Sequence, residues 1–185
     1  MKTTKILGIV GSLRKASVNK KLMEAFKQAA PEGVTVEIAD ISMLPLYNEE
    51  LEANFPEAAK ALKAKIREAD GIIIATPEYN RSIPGVLKNS IDWTSRPYGD
   101  SAWDGKLVVT VGASPGNVGT AVAQSHLKET LVYLNATIVG QPEFYLGGAY
   151  GKFGENGALT DAKTKEFVAK LLETFVARIR KQLSF

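Results

Sequence analysis

The segment Gly11-Ser12-Leu13-Arg14-Lys15-Ala16-Ser17-Val18-Asn19 gathers groups that suit an anion. Ser12, Ser17 and Asn19 are neutral hydrogen-bond partners, Arg14 is a fixed cation, and a helix is expected to start at Ser17, placing Val18 in its first turn. Hydroxyls, free backbone N–H groups and the positive end of a helix dipole together suit a terminal phosphate. The segment lacks the Gly-Lys-Ser/Thr ending of a triphosphate loop, and Gly8 and Gly11 are wrongly spaced for Gly-x-Gly-x-x-Gly. Hydroxyl side chains stand where a pyrophosphate-binding loop has glycines, so a monophosphate bound by several side chains is the better match. An ordinary strand-to-helix turn with a serine cap is the competing interpretation.

A second segment, Pro77-Glu78-Tyr79-Asn80, offers Pro77 and Tyr79 as an apolar wall for a planar heteroaromatic ring. Backbone groups from Glu78 to Asn80 can meet the polar edge of such a ring. A third, Ser114-Pro115-Gly116-Asn117, can close over it. Each of the two, taken alone, is also a common turn.

The elements expected around these segments explain why they belong together. Apolar, β-branched runs alternate with helical patterns, the signature of βαβ units and a parallel sheet. Strands are expected at Lys5–Val10, Val34–Ile38, Gly71–Thr76, Lys106–Gly112 and Ala136–Val139, the last with an extension at Glu143–Leu146. Helices are expected at Ser17–Ala30, Pro56–Ala69, Pro84–Trp93, Val118–Leu134 and Asp161–Gln182, with Thr160 as N-cap of the last. Residues 147–157 are rich in glycine and are expected to be mobile. The unbroken run Ile72-Ile73-Ile74-Ala75 fits a strand covered by helices on both faces. The fold class is α/β: a flavodoxin-like, three-layer doubly wound sandwich with a five-stranded parallel sheet in the order 2-1-3-4-5, as one domain over residues 1–185. A six-stranded dinucleotide fold is the alternative. In the first order, ligands sit beyond the strand carboxyl ends between strands 1 and 3, where the three loops fall.

Composition narrows the chemistry. There is no cysteine, which removes thiolate catalysis and Cys-ligated clusters, and is compatible with a reducing cytoplasm. His126 is the only histidine and falls within a helix, so a Ser-His-Asp machine is not expected. No residues have metal-site spacing. The net charge of +3 is spread among acidic residues without a basic stripe, which argues against nucleic acid, and no apolar run approaches the roughly 20 residues of a membrane helix. Trp93 and Trp103 are expected in a core or interface, and Arg81 and Arg96 are candidates for an anionic nicotinamide cofactor.

These loops resemble the NADPH-dependent FMN reductase family, and most closely its bacterial quinone and chromate reductase branch. Gly11 to Asn19 matches the family's phosphate loop. Thr76-Pro77-Glu78-Tyr79-Asn80, Ser82-Ile83-Pro84-Gly85-Val86-Leu87-Lys88-Asn89 and Ile91-Asp92-Trp93 match its second signature. The resemblance runs from Lys5 to about Tyr145. It implies FMN, tightly bound, with Ser12, Arg14, Ser17, Val18 and Asn19 at the phosphate and Pro77, Glu78, Tyr79, Asn80 and Ser114 along the ring. It also implies NADPH or NADH as donor, with ping-pong hydride transfer through flavin N5. Quinones, chromate, azo or nitro compounds and free flavin are the implied acceptors. The family further implies a homodimer or homotetramer; a cytoplasmic location is the expectation that goes with the absence of cysteine. Glu143 matches a carboxylate that joins subunits in one branch, but its partners' positions hold Val122, Ser125 and Arg81 here, leaving an Arg81–Glu143 pair as a substitute. The alternatives are a flavodoxin-type carrier that does not oxidise NAD(P)H directly, a phosphate-binding hydrolase or signalling domain without flavin, and a partner-binding redox sensor.

Overall fold

The computed structural model describes residues 3–184. β1 (Thr4–Val10) lies between β2 (Val34–Ala39) and β3 (Gly71–Ala75), and β4 (Leu107–Ala113) follows β3. The far side of β4 is shared by two short strands. β5 (Thr137–Ile138) pairs with Leu107 and Val108, and β6 (Phe144–Leu146) pairs with Val111 to Ala113. Every pairing is parallel. The order is therefore 2-1-3-4-5, with an interrupted strand in the fifth place.

Alternation along the strands divides the core in two, because successive side chains of a strand point to opposite faces. Ile6, Val10, Ile73, Val109 and Val111 face α1 (Val18–Gln28) and α5 (Ala162–Gln182), where Met23, Phe26, Leu172 and Phe175 meet them. Leu7, Ile9, Ile72, Ile74 and Val108 face α2 (Glu57–Glu68), α3 (Gly85–Thr94) and α4 (Ala121–Tyr133), through Leu62, Ile66, Leu87, Ile91, Leu127 and Leu131. β3 and β4 are buried throughout, as strands sandwiched between helix layers must be. Trp93 and Trp103 are both core residues, and each indole N–H is satisfied: Trp93 donates to the Pro45 carbonyl and Trp103 to Thr94 Oγ1.

Several boundaries differ from the sequence expectation for local reasons. α4 starts at Ala121 instead of Val118, because Gly119 (φ +62) and Thr120 (φ +70) are left-handed and break the helical path. Gly119 also lies against the backbone of β6: an added Cβ would come within 2.6 Å of the Tyr145 carbonyl carbon. Asp161, not Thr160, caps α5; its carboxylate accepts from the Thr164 N–H at 3.0 Å, while the Thr160 hydroxyl donates to the Lys152 carbonyl. The glycine-rich stretch is structured. Ala149–Lys152 forms a 3₁₀ turn held by Gly148 N–H to Gly116 O, Ala149 N–H to Ser114 O and a Lys152–Asp161 ion pair.

A candidate phosphate and ring site at the switch point

The chain leaves β1 toward α1 on one face of the sheet and leaves β3 toward α3 on the other. A crevice opens between these exits at the strand carboxyl ends. Its floor is tied together by the backbone: Gly11 N–H donates to Ala75 O, and Thr76 N–H donates to Val111 O. The hollow there has a volume of about 110 Å³. Nine of the ten expected site residues line it: Ser12, Arg14, Ser17, Val18, Asn19, Pro77, Glu78, Tyr79 and Ser114. Asn80 does not; it occupies the turn beyond Tyr79. Pro115 of the third loop also lines it, as do Ala113 and Tyr150, which lie outside the three expected loops. Tyr150 was hidden in the glycine-rich stretch, and only the 3₁₀ turn brings it to the site.

On the phosphate side, Ser17 is the N-cap of α1, and its Oγ accepts from the Lys20 N–H at 3.4 Å. Among the described residues, the N–H groups of Val18 and Asn19 find no acceptor in the protein. They sit at the positive end of the helix, beside the buried hydroxyl of Ser12. Arg14 is exposed and, among the described residues, makes no ion pair. The donor set therefore fits a phosphate dianion. Asn19 serves differently from the sequence expectation. Its side-chain Nδ2 donates to the Ala113 carbonyl and its Oδ1 accepts from the Ala113 N–H, both at 2.9 Å. The buried amide is thus a clamp between the loop after β1 and the end of β4, leaving only the Asn19 backbone N–H facing a ligand.

On the ring side, Pro77 is partly exposed and Tyr79 is 49% exposed, forming an accessible apolar ledge. The turn beyond them is closed by reciprocal backbone hydrogen bonds between Tyr79 and Ser82, both at 3.0 Å. Opposite, Ser114 donates its hydroxyl to the Gly116 carbonyl, and its N–H donates to Leu146 O. The enclosed volume is small, and on the ring side it is bounded by the half-exposed Tyr79 and by Pro77. A larger groove of about 850 Å³ lies between the C-terminal ends of α3 and α4 and the 94–105 loop. It lacks free helix N-terminal donors, so volume alone does not locate the phosphate.

Arg81 pairs with Glu78 at 3.0 Å, not with Glu143. Glu143 is held within its own chain by Lys128 at 3.1 Å and by the Tyr145 hydroxyl at 2.6 Å. The Tyr145 hydrogen bond, followed by that of Lys128, lowers the Glu143 carboxyl below its ordinary range. Burial opposes the Lys128 charge, but its bonds to Glu143 and Tyr145 raise it overall. Arg96 lies over the Tyr47 ring. His126 meets Ser82 Oγ through Nδ1 at 3.2 Å. Among the described residues no acidic or histidine group is arranged to hold a metal, and no helix is long and apolar enough to cross a membrane.

The sheet order 2-1-3-4-5, with helices on both faces, defines a flavodoxin-like fold. Residues 4–151 match the model of the NADPH-dependent FMN reductase family, and the chain belongs to that family. It is 43% identical over 176 residues to a 2-hydroxy-1,4-benzoquinone reductase of a Burkholderia species, covering 95% of this chain and 96% of that protein. It is 44% identical over 173 residues to a quinone reductase of Pseudomonas putida, covering 93% and 92% of the two chains. Among solved structures, the flavoenzyme NAD(P)H:(acceptor) oxidoreductase FerB of Paracoccus denitrificans superposes with a TM-score of 0.90 at 39% identity, covering 96% of this chain and 98% of that one. Membership makes the chain an NAD(P)H-dependent oxidoreductase with FMN and a nicotinamide dinucleotide as cofactors.

Proposed function

We propose that the chain is an FMN-dependent NAD(P)H:quinone oxidoreductase whose cofactor lies across the three loops at the switch point. The observation that carries this reading is the pairing of unfilled α1 N-terminal donors with the Pro77–Tyr79 ledge in one hollow. Ser12, Ser17, Arg14 and the N–H groups of Val18 and Asn19 would hold the phosphate. Pro77, Glu78, Tyr79, Asn80 and Ser114 would border the ring, with Tyr150 at its rim. The electron-transfer chemistry is supplied by bound FMN; the protein contributes position and electrostatics. This explains why the hollow contains no nucleophile–base pair. The exposed ledge gives donor and acceptor the same place in turn, which is a ping-pong scheme. An open ledge also discriminates poorly among flat acceptors, so azo and nitro compounds, chromate and free flavin are further candidates beside quinones.

We read the 185 residues as one domain acting in the cytoplasm as a homodimer or homotetramer. The exposed Tyr98 and Tyr133 line the groove between α3 and α4 and are candidates for contact with a second copy. Initial-rate kinetics with NADPH and benzoquinone test the shared ledge. Parallel double-reciprocal lines are expected; intersecting lines would show that donor and acceptor occupy the protein together.

A further inference from the structure

The start of α4 lacks a local cap. Thr120, the residue before it, is left-handed and gives no side-chain bond to the first turn; its hydroxyl accepts from Gln124 Nε2 instead. The missing acceptor comes from a distant segment. Glu78 Oε2 accepts from the N–H groups of Val122 and Ala123, each at 3.1 Å, and Glu78 Oε1 accepts from Arg81 Nη1 at 3.0 Å. The Glu78 side chain is only 10% exposed, while that of Arg81 is 69% exposed. A carboxylate in that position is favourably placed against the positive end of the helix.

The same turn carries unusual backbone. Asn80 (φ 50) and Arg81 (φ 63) are consecutive left-handed residues without a glycine. Asparagine tolerates that region, whereas arginine has no local device for it. Such a conformation persists when its surroundings over-determine it. Here the surroundings are visible: Glu78 anchors one side of the turn to the first turn of α4, and Ser82 anchors the other side to His126 one turn later.

We propose that Glu78 is the positioning residue of the ring-facing turn, locking residues 77–82 onto α4 and placing a fixed negative charge beside the flavin. The second half of this proposal rests on the functional reading above; the first half does not. Glu78 lines the hollow together with Tyr79 and Ser114. On this proposal its carboxylate, bonded to Val122, Ala123 and Arg81, has two effects on a ring placed there. It holds the wall in shape, and it disfavours the extra negative charge of reduced, anionic flavin. Arg81 offsets that charge only partly, because it is far more exposed to water.

Two variants separate the effects. Glu78→Ala removes the acceptor, so in the flavin-free protein the Val122 and Ala123 amides should exchange with solvent at least roughly tenfold faster, with later amides of α4 little changed. Glu78→Gln keeps a carbonyl acceptor and removes the charge. It should still bind oxidised FMN, and it should favour the reduced form by about tenfold relative to the unaltered protein. That corresponds to about a 30 mV rise in a two-electron midpoint potential. Unchanged amide exchange in Glu78→Ala overturns the anchoring role. Normal FMN binding with an unchanged potential in Glu78→Gln overturns the charge effect. If the unaltered protein itself fails to bind FMN, the functional reading and the charge effect fall together, and the exchange result alone decides the anchor.

Discussion

Replacing Asn19 with alanine removes two hydrogen bonds at once and leaves both polar groups of Ala113 without partners. Asn19 and Ala113 are each 1% exposed, so water reaches neither group readily. An unsatisfied buried backbone group costs about 1–3 kcal/mol, which puts the loss at roughly 2–6 kcal/mol for the pair. In a domain of this size, each kcal/mol lowers the melting temperature by about 2–4 °C, so a fall of roughly 4–24 °C is expected. The assay is thermal unfolding of the flavin-free protein, repeated with saturating FMN. Because the clamp supports the fold, the decrease should be present without ligand. FMN affinity should also fall, since the clamp aligns the loop after β1 with Ser114. A flavin-free melting temperature within about 2 °C of the unaltered protein, combined with a collapse of FMN affinity, would refute the reasoning: the Asn19 side chain would then be a phosphate ligand.

Arg14→Ala should leave flavin-free stability unchanged, because Arg14 makes no ion pair among the described residues. At this exposed position a charge-assisted contact is worth about 1–2 kcal/mol, a roughly 5- to 30-fold loss of FMN affinity, with riboflavin affinity unaffected; equal losses for both ligands in fluorescence titrations would remove Arg14 from the phosphate. Gly119→Ala should destabilise by about 2–4 kcal/mol in urea unfolding, because it combines a left-handed alanine with a Cβ forced against the β6 backbone; a neutral effect would contradict the close approach. Asp161 has its carboxyl lowered to about 2, first by the Thr164 hydroxyl and then by Lys152 and the Thr164 N–H. A depressed folded pKa gives stability that is full above the ordinary carboxylate value and disappears as pH falls toward 2. The stability difference between the unaltered protein and Asp161→Asn should therefore be constant near neutrality and shrink between about pH 4 and pH 2; a pH-independent difference would assign the effect to packing.

Much of the fold was legible because periodicity reports burial directly. The uninterrupted Ile72–Ala75 run required cover on both faces, and β3 has it. The interrupted fifth strand was visible as two short apolar runs around Gly140 and Pro142. That Ser12, Arg14 and Ser17 converge at the start of α1 was legible from residue types, because hydroxyls ahead of a helix are a local signal. Less legible was what each side chain does. Asn19 fits a ligand set by type, and its diversion to Ala113 depends on contact with a residue 94 positions away. Glu78 gives no local sign that it caps a helix 44 residues downstream. The start of α4 was misplaced for a related reason: apolar spacing continues through Val118, but the backbone turns left-handed where β6 presses on Gly119. Pairings between distant segments leave no period in the sequence.

The central claim is that the switch-point hollow holds FMN and passes electrons from NAD(P)H to a quinone. A visible-range titration of the purified protein tests it most directly. The expected result is one FMN bound per chain, its absorbance bleached by NADPH without oxygen and restored by benzoquinone, with Arg14→Ala shifting the FMN titration and not the riboflavin one. A protein that binds no FMN, or whose bound FMN is unchanged by either nicotinamide cofactor, would contradict the account.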